Sequence, residues 1–465
     1  MKKNTKNLTY TFIANFLSLA ISASLILIVP KYVDISDYAY WQLYLFYLTY
    51  ISYMSLGVTD GAYLRYGGFE YKNLPKKVFV SQFWFLVIFD IIIYLIFILS
   101  FGLLSNNPNK EIVLFLTCLA GLMVVPRSLI MLILQATGRI KEYSISIIIE
   151  RLIFFIVTIV ILMTSFKDFY FLILADIFGK VFSIIYCILV CRNIVFGKFA
   201  STRESLNEIW INILVGSKLL FANLSSVLIL GIIRLSIEKK WGIEIFGKIS
   251  LTLSISTMLL TFINAIAVVL FPALRRTPEK NLSSIYTKMR QLLMISLLGV
   301  LMLYFPLVYV LSNWLPAYSD SLIYMSILFP ICVFESKNIM LISTYLKTMR
   351  KEKVMLKINF ITLIVSMIIT YGSVFVLVNI NLAIYSIIFV FAFRSIVSEI
   401  YLGGILNINV KLDIFIEVML TIVFIISCWY FNLVQGLILY LAFYIFFLYS
   451  KKTIILKILK YMKLK

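Results

Sequence analysis

The chain has 465 residues, 62% of them hydrophobic and 14% charged, with a formal net charge of +21. Soluble domains carry roughly 25% charged residues, so this composition excludes a water-soluble globular protein, and a mean hydropathy of +1.02 agrees. Histidine is absent, which removes the commonest general base and metal ligand; no cofactor, no metal site and no catalytic residue is expected.

The first apolar run, 8–30, follows Lys2, Lys3 and Lys6. It is too long for the apolar core of a signal peptide, and no small-residue cleavage site leads into a soluble chain. It reads as the first span. Further runs follow at 38–60, 78–104, 112–137, 143–163, 169–191, 213–236 and 247–272. The remainder are 291–312, 321–346, 355–378, 382–402, 414–431 and 434–450. Each can cross a hydrocarbon layer of ~30 Å as a helix. Their continuous apolarity, without a period of two, excludes a transmembrane barrel. The expectation is an all-α integral membrane protein of about 14 transmembrane helices.

With the N-terminus placed in the cytoplasm, the inner segments hold about 29 Lys and Arg and the outer ones about 5, namely Lys31, Lys110, Lys167, Lys239 and Lys240. A missed span would invert every later segment, so the bias supports cytoplasmic termini and a bacterial inner-membrane location. The positive charge is therefore topological and does not point to nucleic acid. A tail with Lys451, Lys452, Lys457, Lys460, Lys463 and Lys465 suits anionic headgroups. The five cysteines, Cys118, Cys187, Cys191, Cys332 and Cys428, lie in or beside apolar runs with neither disulfide nor zinc spacing.

A weak internal repeat is visible. Ala14-Asn15 recurs as Ala222-Asn223, and Tyr38-Ala39 is answered by Phe246-Gly247 at the same separation. Near the ends of spans four and ten, Thr137-Gly138-Arg139 returns as Thr348-Met349-Arg350. The pattern divides the chain into a six-helix lobe at 1–212, a second at 213–410 in the same orientation, and two extra helices with a basic tail at 411–465.

Charge at depth in a bilayer is costly unless it faces a partner or a wet cavity. The deep cations are Arg127, Lys180, Lys337 and Arg394, in helices that the repeat makes equivalent, with Arg234 nearer a span end. The deep acids are Asp90, Glu150, Asp176, Glu335 and Glu399, the candidates for ion coupling. Asp176 and Lys180 share a helix face; Arg394 and Glu399, five apart, match less well. Two readings stand: the four cations line a hydrated cavity for an anion such as a diphosphate, or they form structural ion pairs between helices. Pro126, Pro306 and Pro330 lie within spans and permit bends.

Several stretches resemble the polysaccharide-biosynthesis flippases, the O-antigen-type oligosaccharide-lipid translocases of the multidrug/oligosaccharidyl-lipid/polysaccharide exporter superfamily. They are Ile35-Ser36-Asp37-Tyr38-Ala39-Tyr40-Trp41, the segment from Ser55 to Tyr66, Leu134-Gln135-Ala136-Thr137-Gly138-Arg139, Gly231-Ile232-Ile233-Arg234, Phe246-Gly247 and Val269-Leu270-Phe271-Pro272-Ala273-Leu274. Ile233 stands where many relatives carry an acid, and Ala39 where they carry glycine. The resemblance implies paired six-helix lobes around a cationic cavity containing Arg127, Lys180, Lys337, Arg394 and Arg234. The implied cargo is an undecaprenyl-diphosphate-linked oligosaccharide turned between leaflets by alternating access, with a polysaccharide polymerase and chain-length machinery as partners. No G-x-x-x-x-G-K loop is present, so drive falls to an ion gradient or the membrane potential. A lipid II flippase and a multidrug cation antiporter of the same superfamily are the rival readings. A membrane glycan polymerase or acyltransferase lacks the large outer loop it would need.

Overall fold

The computed structural model describes residues 2–104, 107–164, 166–275 and 278–452. Basic residues Lys457, Lys460, Lys463 and Lys465 of the tail lie outside the described residues, as do Arg276 and the side chains of Val269, Phe271, Pro272 and Ala273. The described residues are almost all helical, the chain is a multi-pass membrane protein, and it packs as two compact units, Met1–Ser250 and Leu251–Lys465. This partition by packing differs in kind from the repeat-based one at 212/213, which stays an expectation from sequence.

The first unit opens with α1 (Lys2–Tyr32), α2 (Ile35–Ile51) and α3 (Val58–Tyr66), followed by α4 (Lys76–Leu104), α5 (Pro108–Ala136), α6 (Ile140–Met163) and α7 (Phe169–Val190). A short α8 (Arg192–Val195) leads to α9 (Thr202–Trp241), and α10 (Ile243–Arg275) begins here and ends in the second unit. At the starts of α5 and α9 a side chain accepts an orphan amide. Asn107 accepts from the Lys110 amide at 3.2 Å with Pro108 in the first turn of α5, and Ser201 caps α9 through the Glu204 amide at 3.3 Å.

The second expected span, 38–60, is not one helix. Between α2 and α3 a 3-10 turn ends at Leu56 and Gly57, both left-handed with φ of 51° and 84°. Glycine adopts that conformation without a Cβ penalty. The break lets α3 lie against α9 with almost no separation. A Cβ on Gly61 would stand 2.0 Å from the Asn212 carbonyl oxygen, and one on Gly216 would stand 2.0 Å from that of Gly57. Backbone contact of this kind between small residues is how apolar helices gain packing where lipid offers no hydrophobic drive.

The second unit contains α11 (Glu279–Val300), α12 (Tyr304–Trp314), α13 (Ser319–Leu328), α14 (Ile331–Lys337) and α15 (Thr344–Thr348). A π-helical stretch, Asn338–Ser343, joins the last two. Then come α16 (Glu352–Thr370), α17 (Ile380–Leu406), α18 (Lys411–Tyr430) and α19 (Leu433–Ser450). The final helix docks on α11 through two phenols: Tyr440 donates to the Leu298 carbonyl and Tyr444 to that of Ile295, each at 2.8 Å.

Among the described residues, 11 helices are long and apolar enough to cross a membrane, or 12 if the bent pair Pro316–Leu328 and Ile331–Thr348 counts as one span. Two of the fourteen expected spans are not among these: 38–60, which is broken between α2 and α3, and 247–272, where many side chains of α10 lie outside the described residues.

Candidate functional site

Apart from Arg234 and Asp90, the deep charges gather in one group in each unit. In the first, α5, α6, α7 and α2 bring Arg127, Glu150, Lys180, Asp176 and Tyr44 together. Arg127 pairs with Glu150 and also donates to Ser183 Oγ at 2.6 Å. The Lys180 ammonium lies 3.5 Å from the other oxygen of Glu150 and pairs with Asp176, the contact expected from their spacing. Tyr44 closes the chain by donating to Asp176 at 2.6 Å. Two cations meet two carboxylates, and all are largely buried, so the assembly is close to neutral. Full pairing is what a low-dielectric interior demands of retained charge.

The second unit repeats the arrangement with more members. Arg394 of α17 pairs with Glu335 of α14, while Lys337 of α14 donates to Glu399 of α17 at 2.7 Å. Two crossed bridges thus tie the same two helices. Lys337 also reaches Glu417 of α18 at 2.7 Å. Arg290 of α11 bonds Glu399, lies 3.3 Å from Glu417 and 3.5 Å from Asp413, and Asp413 accepts from Lys451 at 2.7 Å. Tyr286 donates to Glu399 at 3.2 Å. Four cations (Arg290, Lys337, Arg394, Lys451) meet four carboxylates (Glu335, Glu399, Asp413, Glu417).

Of the two readings left open for Arg127, Lys180, Lys337 and Arg394, ion pairing describes their surroundings. They lie two to a unit, each bound to carboxylates of its own unit, and so do Glu150, Asp176, Glu335 and Glu399. Arg394 bonds Glu335 of the neighbouring helix α14. Three participants escape the sequence reading. Glu417 sits inside the run 414–431, and the rule that flags the other deep acids flags it too. Asp413, at the edge of that run, carries no such signal. Arg290 falls in a segment expected to be cytoplasmic, yet it is only 4% exposed and is the hub of the second cluster.

Arg234 and Asp90 differ from the rest. Arg234, on α9, has no carboxylate within ion-pairing range among the described residues. Its guanidinium lies 4.9 Å from the Phe46 ring centroid and 5.0 Å from that of Phe246, and donates to Ser250 Oγ at 2.8 Å. Its Nε has no hydrogen-bond partner. A guanidinium between aromatic faces is held by quadrupole attraction while its donors stay available. Asp90, on α4, is fully buried, and neither carboxyl oxygen has a partner.

No family model matches the sequence, and no curated protein does. Solved structures do match. An inward-facing multidrug resistance MATE family transporter of the MOP superfamily superposes with a TM-score of 0.66 at 13% identity, covering 84% of this chain and 98% of its own. The lipid II flippase MurJ, inward closed, gives 0.65 at 13% identity over 96% of this chain and 99% of its own. A MOP superfamily transporter from Pyrococcus furiosus, described as having a binding pocket of reverse polarity, gives 0.55 at 13% over 86% and 96%. The fold is that of the MATE and MurJ transporters. The MurJ likeness extends over more of the chain than either of the others.

Proposed function

We propose that this chain is a flippase that moves an undecaprenyl-diphosphate-linked oligosaccharide, an O-antigen or capsule repeat unit, from the cytoplasmic to the outer leaflet of a bacterial inner membrane by alternating access. The observation that carries the reading is Arg234, a membrane-embedded guanidinium between Phe46 and Phe246 with no carboxylate paired to it among the described residues. An organic-cation exporter gains nothing from such a group, whereas a diphosphate is matched by it. The MurJ-like fold supports a lipid-linked cargo, since MurJ is itself a lipid II flippase; fold alone does not fix the substrate. Both termini face the cytoplasm in this reading, and a polysaccharide polymerase with its chain-length machinery receives the product.

The second reading is lipid II as cargo, favoured by the 96% coverage of the MurJ likeness. One experiment separates them: a deletion strain is extracted for polyprenyl-linked intermediates. Accumulation of a lipid-linked repeat unit with loss of surface glycan supports the first reading. Accumulation of lipid II supports the second, and no accumulation of either removes both.

A further inference from the structure

Five deep acids are candidates for ion coupling from the sequence, Glu417 qualifies by the same rule and is bonded to Lys337, and the structure separates one of the six from the others. Glu150, Asp176, Glu335 and Glu399 are each bonded to a cation. A carboxylate held that way has its charge met by the cation beside it. Among the described residues no cation is paired with Asp90 and neither of its oxygens has a hydrogen-bond partner, and it is 0% exposed. An ionised carboxylate in apolar packing without a partner is strongly disfavoured, and such a group takes up a proton instead.

The surroundings are specific. Leu86, one turn from Asp90 on α4, and Val125 and Leu129 of α5 belong to one buried apolar cluster. The Tyr94 phenol, one turn along α4, is a titratable group beside it, and the Cys118 thiol from α5 lies near that phenol. From α8 the candidate charge is Arg192, which is exposed, and from α9 it is Glu208, which pairs with Arg65. Neither is bonded to Asp90. The Tyr94 hydroxyl is itself buried without a partner, and α5 makes room for it: a Cβ on Gly121 would stand 2.6 Å from that oxygen. Gln82, two turns earlier on α4, is also fully buried with both amide atoms unpartnered. Positions 82, 86, 90 and 94 follow one another at the four-residue helical spacing, so three polar side chains with unmet hydrogen bonds run along one side of α4. A metal cation at Asp90 would need several oxygen ligands; a proton needs one.

We infer that Asp90 is a proton-binding site, carrying its proton as the neutral acid in this conformation and releasing it to water when the packing between α4 and α5 opens, so that a proton is the ion coupled to transport. The step balances simply: the O–H bond breaks, the proton passes to water, and the carboxylate remains until it is reprotonated from the other side. This rests on the flippase reading for its biological purpose, but the site itself can be tested without a cargo.

The test uses the full-length protein purified in lipid nanodiscs and infrared difference spectroscopy of the protonated-carboxyl stretch at neutral pH. The wild type is expected to show a band that Asp90→Asn removes and Asp90→Glu retains at a shifted frequency. On transfer to deuterated buffer the band should shift within minutes, showing that the proton exchanges. In cells, Asp90→Asn should export surface glycan no better than the deletion strain, with Asp90→Glu restoring part of it at equal protein abundance. A missing band, a band unchanged in Asp90→Asn, or a band that fails to exchange would each overturn the inference, as would normal glycan export by Asp90→Asn where the deletion strain loses surface glycan. An exchangeable Asp90 band in a protein whose deletion leaves surface glycan and its lipid-linked precursors unchanged would instead retire the cargo assignment and leave the proton site standing.

Discussion

Lys337 on α14 and Glu417 on α18 meet at 2.7 Å, one with no exposed surface and the other with almost none. Glu417 shares its two cations, Lys337 and Arg290, with Glu399. Replacing Glu417 by Ala leaves two cations with too little counter-charge. Removing one partner of a buried pair costs about 3–5 kcal/mol, so Glu417→Ala should lower the melting temperature in detergent well below wild type. The double variant Lys337→Met with Glu417→Leu, which removes a cation and an anion together, should recover part of that loss.

The contact between α3 and α9 gives a prediction of opposite chemical character. Gly61→Ala and Gly216→Ala push a methyl into backbone atoms that cannot swing aside, at an overpacking cost of about 1–3 kcal/mol. A methyl added at Gly404 of α17 would meet nothing within 4 Å, and Gly404→Ala should be neutral or slightly stabilising. Parallel thermal unfolding of the three variants checks the contrast.

Arg234→Ala should abolish glycan export without lowering protein abundance, because the side chain makes one hydrogen bond and two ring contacts and no ion pair. Arg234→Lys keeps the charge but loses the planar fork, so export should fall between wild type and Arg234→Ala. Equal export by all three proteins would show that the guanidinium does not meet the cargo.

The charge bias predicts topology. Reporter fusions after Lys77 and Lys351 should read cytoplasm, and a fusion at Lys110 should read the outer side. An outer signal at Lys351 would mean that the broken α2–α3 segment, α10 or the bent α13–α14 pair does not span.

Much of the helical framework is legible in the chain. Spans at 143–163 and 169–191 coincide closely with α6 and α7, because an apolar run with polar ends is itself the signal that a bilayer selects. The start of α9 is less legible. Hydropathy begins it at 213, yet the Ser201 cap starts it at Thr202, since Glu204, Asn207 and Glu208 are helical without being apolar. The break at Leu56-Gly57 is hidden for the converse reason: apolar residues continue through a backbone turn. The charges at depth are legible as residues and mostly not as partners. Asp176–Lys180 follows from spacing along one helix, whereas Arg394–Glu335 and Lys337–Glu417 depend on which helices stand side by side, and no periodicity encodes that.

Helix α9 runs unbroken for 40 residues, about 60 Å at 1.5 Å per residue, twice the thickness of a hydrocarbon layer. Near its start, Glu208 is bridged to Arg65 at 2.9 Å and Asn212 accepts from the same guanidinium at 2.7 Å. Arg234 lies on the same rod, about 40 Å farther along. Such a rod behaves as a lever: a tilt of roughly 10° about the Arg65 clasp would carry Arg234 through about 7 Å, so a small rearrangement at one membrane surface becomes a large displacement of charge near the other.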